Sequence, residues 1–110
     1  MPIARTPEPP YVAVIFSSTR TEGDRGYAVI AARMDELVVT QPGYLGHEAA
    51  RSDGTGITVS YWATLEDAAA WKQVGAHRVA QERGIEAWYE EYVVRVAVVE
   101  REYGGPRELP

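Results

Sequence analysis

The chain has 110 residues, 45% of them hydrophobic and 25% charged, with a formal net charge of -5 and no cysteine. That length holds a single core, and the composition is that of a globular domain. The acidic balance argues against nucleic acid and anionic lipid as partners, and the missing thiols remove disulfides, thiolate catalysis and cysteine-ligated metal.

No stretch approaches the roughly 20 apolar residues that span a bilayer, and the first residues form no apolar signal core, so a cytoplasmic protein is expected. Proline marks the edges. Pro2, Pro7, Pro9 and Pro10 open the chain and Pro106 and Pro110 close it, with only Pro42 between. An ordered domain is expected over residues 10–103, with flexible tails over 1–9 and 104–110.

Tyr11 to Phe16 (YVAVIF) has the β-branched and aromatic content of a first strand, and a polar loop is expected from Ser17 to Asp24. Tyr27, Ile30, Met34, Leu37 and Val38 then recur at helical spacing, and the helix must end at Gln41-Pro42-Gly43. Tyr44 to Arg51 and Thr55 to Trp62 read as a hairpin about Asp53-Gly54, a type I′ turn signal. Thr64-Leu65-Glu66-Asp67 opens a second helical region, with Thr64 as cap and two acids at its positive end. This region should run through Trp71 to about Glu91, with a break at Gly75 one of its options. Tyr92 to Glu100 (YVVRVAVVE) forms the last strand. The order β-α-β-β-α-β is the ferredoxin-like, split βαβ arrangement, an α+β fold with a four-stranded antiparallel sheet.

Such a sheet with one wet face should alternate apolar and polar residues. Here Tyr11, Ala13 and Ile15 oppose Val12, Val14 and Phe16, and Val94, Val96 and Val98 oppose Val93, Ala97 and Val99. Both faces therefore require burial, and two helices cover only one. Burying three valine-sized side chains is worth roughly 5 kcal/mol, comparable to the whole stability of a small domain. A twofold homodimer is the expected cover for the second face.

The segments QPGYLGHEAAR, DGTGITVSYW, AWK, AHRVAQ, WYEEY and RVAVVERE closely resemble the antibiotic biosynthesis monooxygenase family, and more narrowly a bacterial branch without an assigned reaction. The resemblance spans Tyr11 to Tyr103. It implies a dimeric α+β barrel in which two sheets pack face to face, with a cavity between the sheet and helices of each subunit. It also implies chemistry among cofactor-free oxygenases of polycyclic phenols, quinol oxygenases and haem-degrading enzymes. For haem degradation it implies a histidine on the second helix, a nearby tryptophan and an asparagine late in the first strand. His77 matches the first, Trp71 stands closer to it than the pattern has it, and Phe16 stands where the asparagine would be.

His77 is a candidate haem ligand or phenol-deprotonating base; the plainer reading is an exposed helix histidine among Arg78, Glu82 and Arg83. A two-residue turn at Asp53-Gly54 pairs His47 with Ser60 and places Leu45, His47 and Ala49 on one face with Thr58, Ser60 and Trp62. That face suits a cavity wall with a few placed polar groups, while Ile57, Val59 and Tyr61 suit a dimer core. His47 and Ser60 are accordingly catalytic candidates beside His77. Trp62 and Trp88 are candidate substrate walls, as is Tyr92; ordinary core filling is the competing role. Arg95 interrupts the last strand and must be paired, by Glu48, Glu100 or a partner's acid, unless it orients an anionic substrate.

No phosphate-cradling glycine loop, nucleophile elbow, H-E-x-x-H metal motif, or flavin or nicotinamide fingerprint occurs. Oxygen chemistry would then draw its electrons from the substrate or from bound haem. The reading is a cofactor-independent monooxygenase of an aromatic or quinol-like small molecule, with no resident metal. The alternatives are a haem-binding or haem-degrading protein using His77, and a non-catalytic dimeric binding module.

Overall fold

A computed structural model describes residues 3–81 and 87–106, with the side chains of residues 76–81 outside the described set. Its elements are β1 (Tyr11–Arg20), α1 (Tyr27–Val38), β2 (Tyr44–Ser52), β3 (Thr55–Trp62), α2 (Leu65–Gln81) and β4 (Tyr89–Val99). The strands form one antiparallel sheet in the order β2-β3-β1-β4, as a ferredoxin-like chain requires.

Two boundaries differ from expectation, for one shared reason. β1 continues through the polar residues Ser17 to Arg20, and β4 begins at Tyr89 rather than Tyr92. The extensions pair with each other, Ser18 opposite Tyr92, Thr19 opposite Glu91 and Arg20 opposite Tyr89. Ladder hydrogen bonds at the sheet centre outweigh the local preference of serine and threonine for a loop. Tyr89 to Glu91 therefore belong to β4 rather than to the second helical region, and α2 passes through Gly75 without a break.

The hairpin follows its turn chemistry. Asp53 and Gly54 have φ values of 52° and 82°, as a type I′ turn demands, and Ser52 pairs with Thr55. The register therefore sets His47 opposite Ser60 and Ala49 opposite Thr58. It shifts between Tyr44 and Gly46, so Tyr44 rather than Leu45 shares the Trp62 face. A bulge was not legible in the alternation of YLGHE.

α2 starts as expected, with the Asp67 amide donating to Thr64 Oγ1 at 3.0 Å. It packs on β1 and β3, and α1 packs on α2. Val12, Val38, Trp62 and Ala68 form the core between sheet and helices, flanked by Val14, Tyr44 and Trp71. The helical layer is narrower than the sheet. Cross-strand pairing puts Val94, Val96 and Val98 on the same side as Val12 and Val14, yet Val96 is 53% exposed. β4 is thus bare on its helix side as well as on the opposite face.

On that opposite face Ile57 is 49% exposed and Val93 is also exposed. Its one end is covered by the chain's own termini. Ala4 N donates to Glu48 Oε2 at 2.9 Å, and the Tyr11 hydroxyl donates to Glu102 Oε1 at 2.5 Å. An open cavity of about 520 Å³ lies beneath these segments.

Candidate active site

The helix side of the sheet carries two polar clusters. The first lies at the start of β2. The Tyr44 hydroxyl and His47 Nδ1 are 2.6 Å apart, and His47 Nε2 is 3.8 Å from Asp35 Oδ1 on α1. His47 is half-buried and Asp35 exposed, so water reaches the carboxylate end. Burial and the nearby Asp35 carboxylate raise the Tyr44 phenol above its ordinary value. An imidazole held between a neutral phenol and a carboxylate is oriented and can exchange a proton with solvent.

Ser60 stands opposite His47 but does not join it. Its buried Oγ accepts the indole N–H of Trp62 at 2.8 Å, satisfying a donor inside the core. Trp62 is wholly buried, with its ring 5.9 Å from Trp71 in a stacked arrangement and 5.9 Å from Tyr44 edge-on. It fills the sheet–helix space at this end.

The second cluster gathers at the far end, where β1, the β2–β3 turn and β4 meet the start of α1. Trp88 is buried, donates through Nε1 to Arg25 O at 2.9 Å, and meets the Tyr27 ring edge-on. Phe16 stacks on Tyr92 at 5.5 Å and meets Tyr89 edge-on at 5.4 Å. Burial and the hydrogen-bonded Tyr27 push the Tyr89 phenol far up, against the pull of Arg51 and Arg20. Arg20 lies over the Tyr27 ring, its guanidinium carbon 3.6 Å from the centroid.

Of the residues singled out from sequence, His47 lies in the first cluster while Ser60 and Trp62 bond to each other in the core beside it, and Trp88 and Tyr92 lie at the second. Arg95 does neither. It pairs with Ile15, so it stands on the face away from the helices, exposed and without an ion pair among the described residues. His77 falls on α2, but its side chain lies outside the described residues. Tyr44, Asp35, Arg20 and Arg51 were not anticipated. The bulge hides Tyr44, and only the strand register and the α1 packing bring the other three to the site.

Among the described residues, no helix is long and apolar enough to cross a membrane, and no three histidine, cysteine, aspartate or glutamate side chains cluster as metal ligands. Phe16, which stands where the haem-degrading pattern has an asparagine, packs its ring against Tyr89 and Tyr92.

The family profile described as "Antibiotic biosynthesis monooxygenase" matches residues 10–83. This chain belongs to the antibiotic biosynthesis monooxygenase family. A relative, "Uncharacterized protein YqjZ" of Bacillus subtilis (strain 168), is 50% identical over 101 residues, 91% of this chain and 89% of that protein. Among solved structures, SO0527 from Shewanella oneidensis superposes with a TM-score of 0.70 at 11% identity, covering 84% of this chain and 94% of that one. SnoaB, a cofactor-independent oxygenase from Streptomyces nogalater, gives 0.64 at 13% identity, covering 90% and 100%. These structures share the antibiotic biosynthesis monooxygenase fold with this chain.

Proposed function

We propose that the chain is a cofactor-independent monooxygenase of an aromatic or quinol-like small molecule, working as a homodimer closed through the face that carries Ile57 and Val93. The observation that carries the reading is the His47 imidazole, fixed between Tyr44 and Asp35 on the helix side of the sheet. Family membership and the likeness to SnoaB support the class of chemistry. His47 takes the proton from an acidic C–H or O–H of the bound substrate, leaving an electron-rich carbanion or phenolate. One electron passes to oxygen, and recombination forms a C–O bond as a peroxide. At a methylene carbon the O–O bond then breaks, one oxygen remains as a carbonyl, and the other leaves as water with the two hydrogens. The substrate supplies all the electrons. Oxygen uptake by the purified chain with anthrone- and quinol-type substrates is the test; none with either class sinks the reading.

A second reading, a dimeric binding module without chemistry, draws on Trp62 and Trp88, which fill the sheet–helix space where they were expected to line it. Ligand binding without oxygen uptake would select it.

A further inference from the structure

Arg20 and Arg51 stand against one ring, that of Tyr27, at 3.6 and 5.9 Å from its centroid. In a chain of net charge -5, neither has a carboxylate within ion-pair reach among the described residues. Both are held instead by neutral acceptors. Arg51 Nη1 donates to Gly54 O at 2.8 Å and Nη2 to the buried Ser18 Oγ at 2.8 Å. Arg20 Nε donates to Trp88 O at 2.9 Å and Nη2 to Gly23 O at 3.1 Å. The adjacent Asp24 carboxylate is spent on the amides of Gly26 and Ala28. The Arg51 guanidinium lies flat on the sheet because Gly56 leaves it room; a Cβ there would collide with it. Two like charges are thus held against one ring by neutral acceptors with donors to spare, an arrangement that an anion would complete.

A recess of about 250 Å³ opens at the β2 edge beside Arg51 and Tyr27, with Ala49, Ala50, Ile57 and Thr58 in its wall; Arg20 reaches it across the Tyr27 ring rather than lining it. The same strand face leads from Arg51 past Ala49 to His47, a distance of about 13 Å along β2. We propose that Arg51 and Arg20 bind the carboxylate of a flat aromatic acid, whose rings lie over Ala49 and Thr58 in this recess and point along β2 toward His47. The guanidinium fork matches a carboxylate in two parallel hydrogen bonds, and Tyr27 offers a ring edge to the ligand's own. The identity of the occupant rests on the oxygenase reading; the anion site itself does not.

The test is calorimetric binding of 1-naphthoate and its neutral isostere 1-naphthamide to the intact chain at low ionic strength. The acid is expected to bind at least about tenfold more tightly, with a preference that shrinks as salt is added. Arg51→Gln and Arg20→Gln should each remove about tenfold of the acid's affinity and leave the amide's unchanged. Equal affinity of acid and amide for the unaltered chain overturns the proposal, and that comparison needs no variant to fold. So does full retention of acid binding by both variants. Tight acid binding without oxygen uptake upholds the anion site and sinks the oxygenase reading. Oxygen uptake with neutral quinols and no preference for the acid does the reverse.

Discussion

The Tyr44 hydroxyl lies 2.6 Å from His47 Nδ1, although the two residues are separated by an odd number of positions on one strand. Regular alternation would point them to opposite faces. The register shift between Tyr44 and Gly46 returns both to the helix side, where Asp35 approaches the far nitrogen of the imidazole. The pair proposed to handle the proton is therefore built by a bulge.

Replacing His47 with Gln should lower the rate of oxygen uptake by about a hundredfold or more, the contribution of a positioned base. Tyr44→Phe should cost less, about tenfold, because the imidazole remains but loses one of its two orienting partners. An oxygen electrode reads both, and unchanged melting temperatures would assign the losses to chemistry.

Trp62 has no exposed surface and spends its indole N–H on Ser60. Trp62→Ala should cost about 3–5 kcal/mol, through lost packing and a cavity against Trp71. Denaturant titration will show the midpoint falling sharply. Trp62→Phe should cost clearly less, because most of the packed volume stays.

Gly43 links α1 to β2 with φ of +79°, and its carbonyl accepts the Ala63 amide at 2.8 Å. The Asp67 side chain occupies the place a Cβ would take. Gly43→Ala therefore combines left-handed backbone strain of about 1–2 kcal/mol with displacement of Asp67 from the first turn of α2. A lower melting temperature is expected, together with increased amide exchange at the start of α2.

Burial and its hydrogen bond to Glu48 push the Tyr61 phenol up to about 12. A phenol whose folded value is raised stabilises the fold fully below its unfolded value, and that contribution is lost as pH rises through the folded one. Stability should thus decline between about pH 10 and about pH 12. Tyr11, shifted the same way by burial and Glu102, adds to the decline. Urea midpoints across that range should fall less steeply for Tyr61→Phe, and phenolate absorbance should show late-titrating tyrosines that become ordinary on unfolding.

Ile57 is half exposed on the face proposed to close the dimer. Ile57→Lys places a charge where apolar surface should be buried, so light scattering should report a dimer for the original chain and a monomer for the variant. A monomer in both cases would reject the dimer.

The sequence alone determined the element order, the hairpin register and the two apolar faces, because each is a local signal. The Asp53-Gly54 turn fixes the pairing of His47 with Ser60, strand period two fixes which side chains share a face, and Pro42 stops α1. It did not determine where β1 ends or β4 begins, since Ser17–Arg20 become strand by pairing with β3 on one side and with the start of β4, some 70 residues away, on the other. The site followed the same division. His47, Ser60 and Trp62 were legible from the hairpin, whereas Asp35, Tyr44, Arg20 and Arg51 depended on a bulge, a helix docking and a sheet edge. Those arrangements are set by long-range packing, which no local pattern encodes. Tertiary structure also placed Arg95 away from the helices and turned Trp62 and Trp88 from expected walls into core, because the narrow helical layer is filled by their rings.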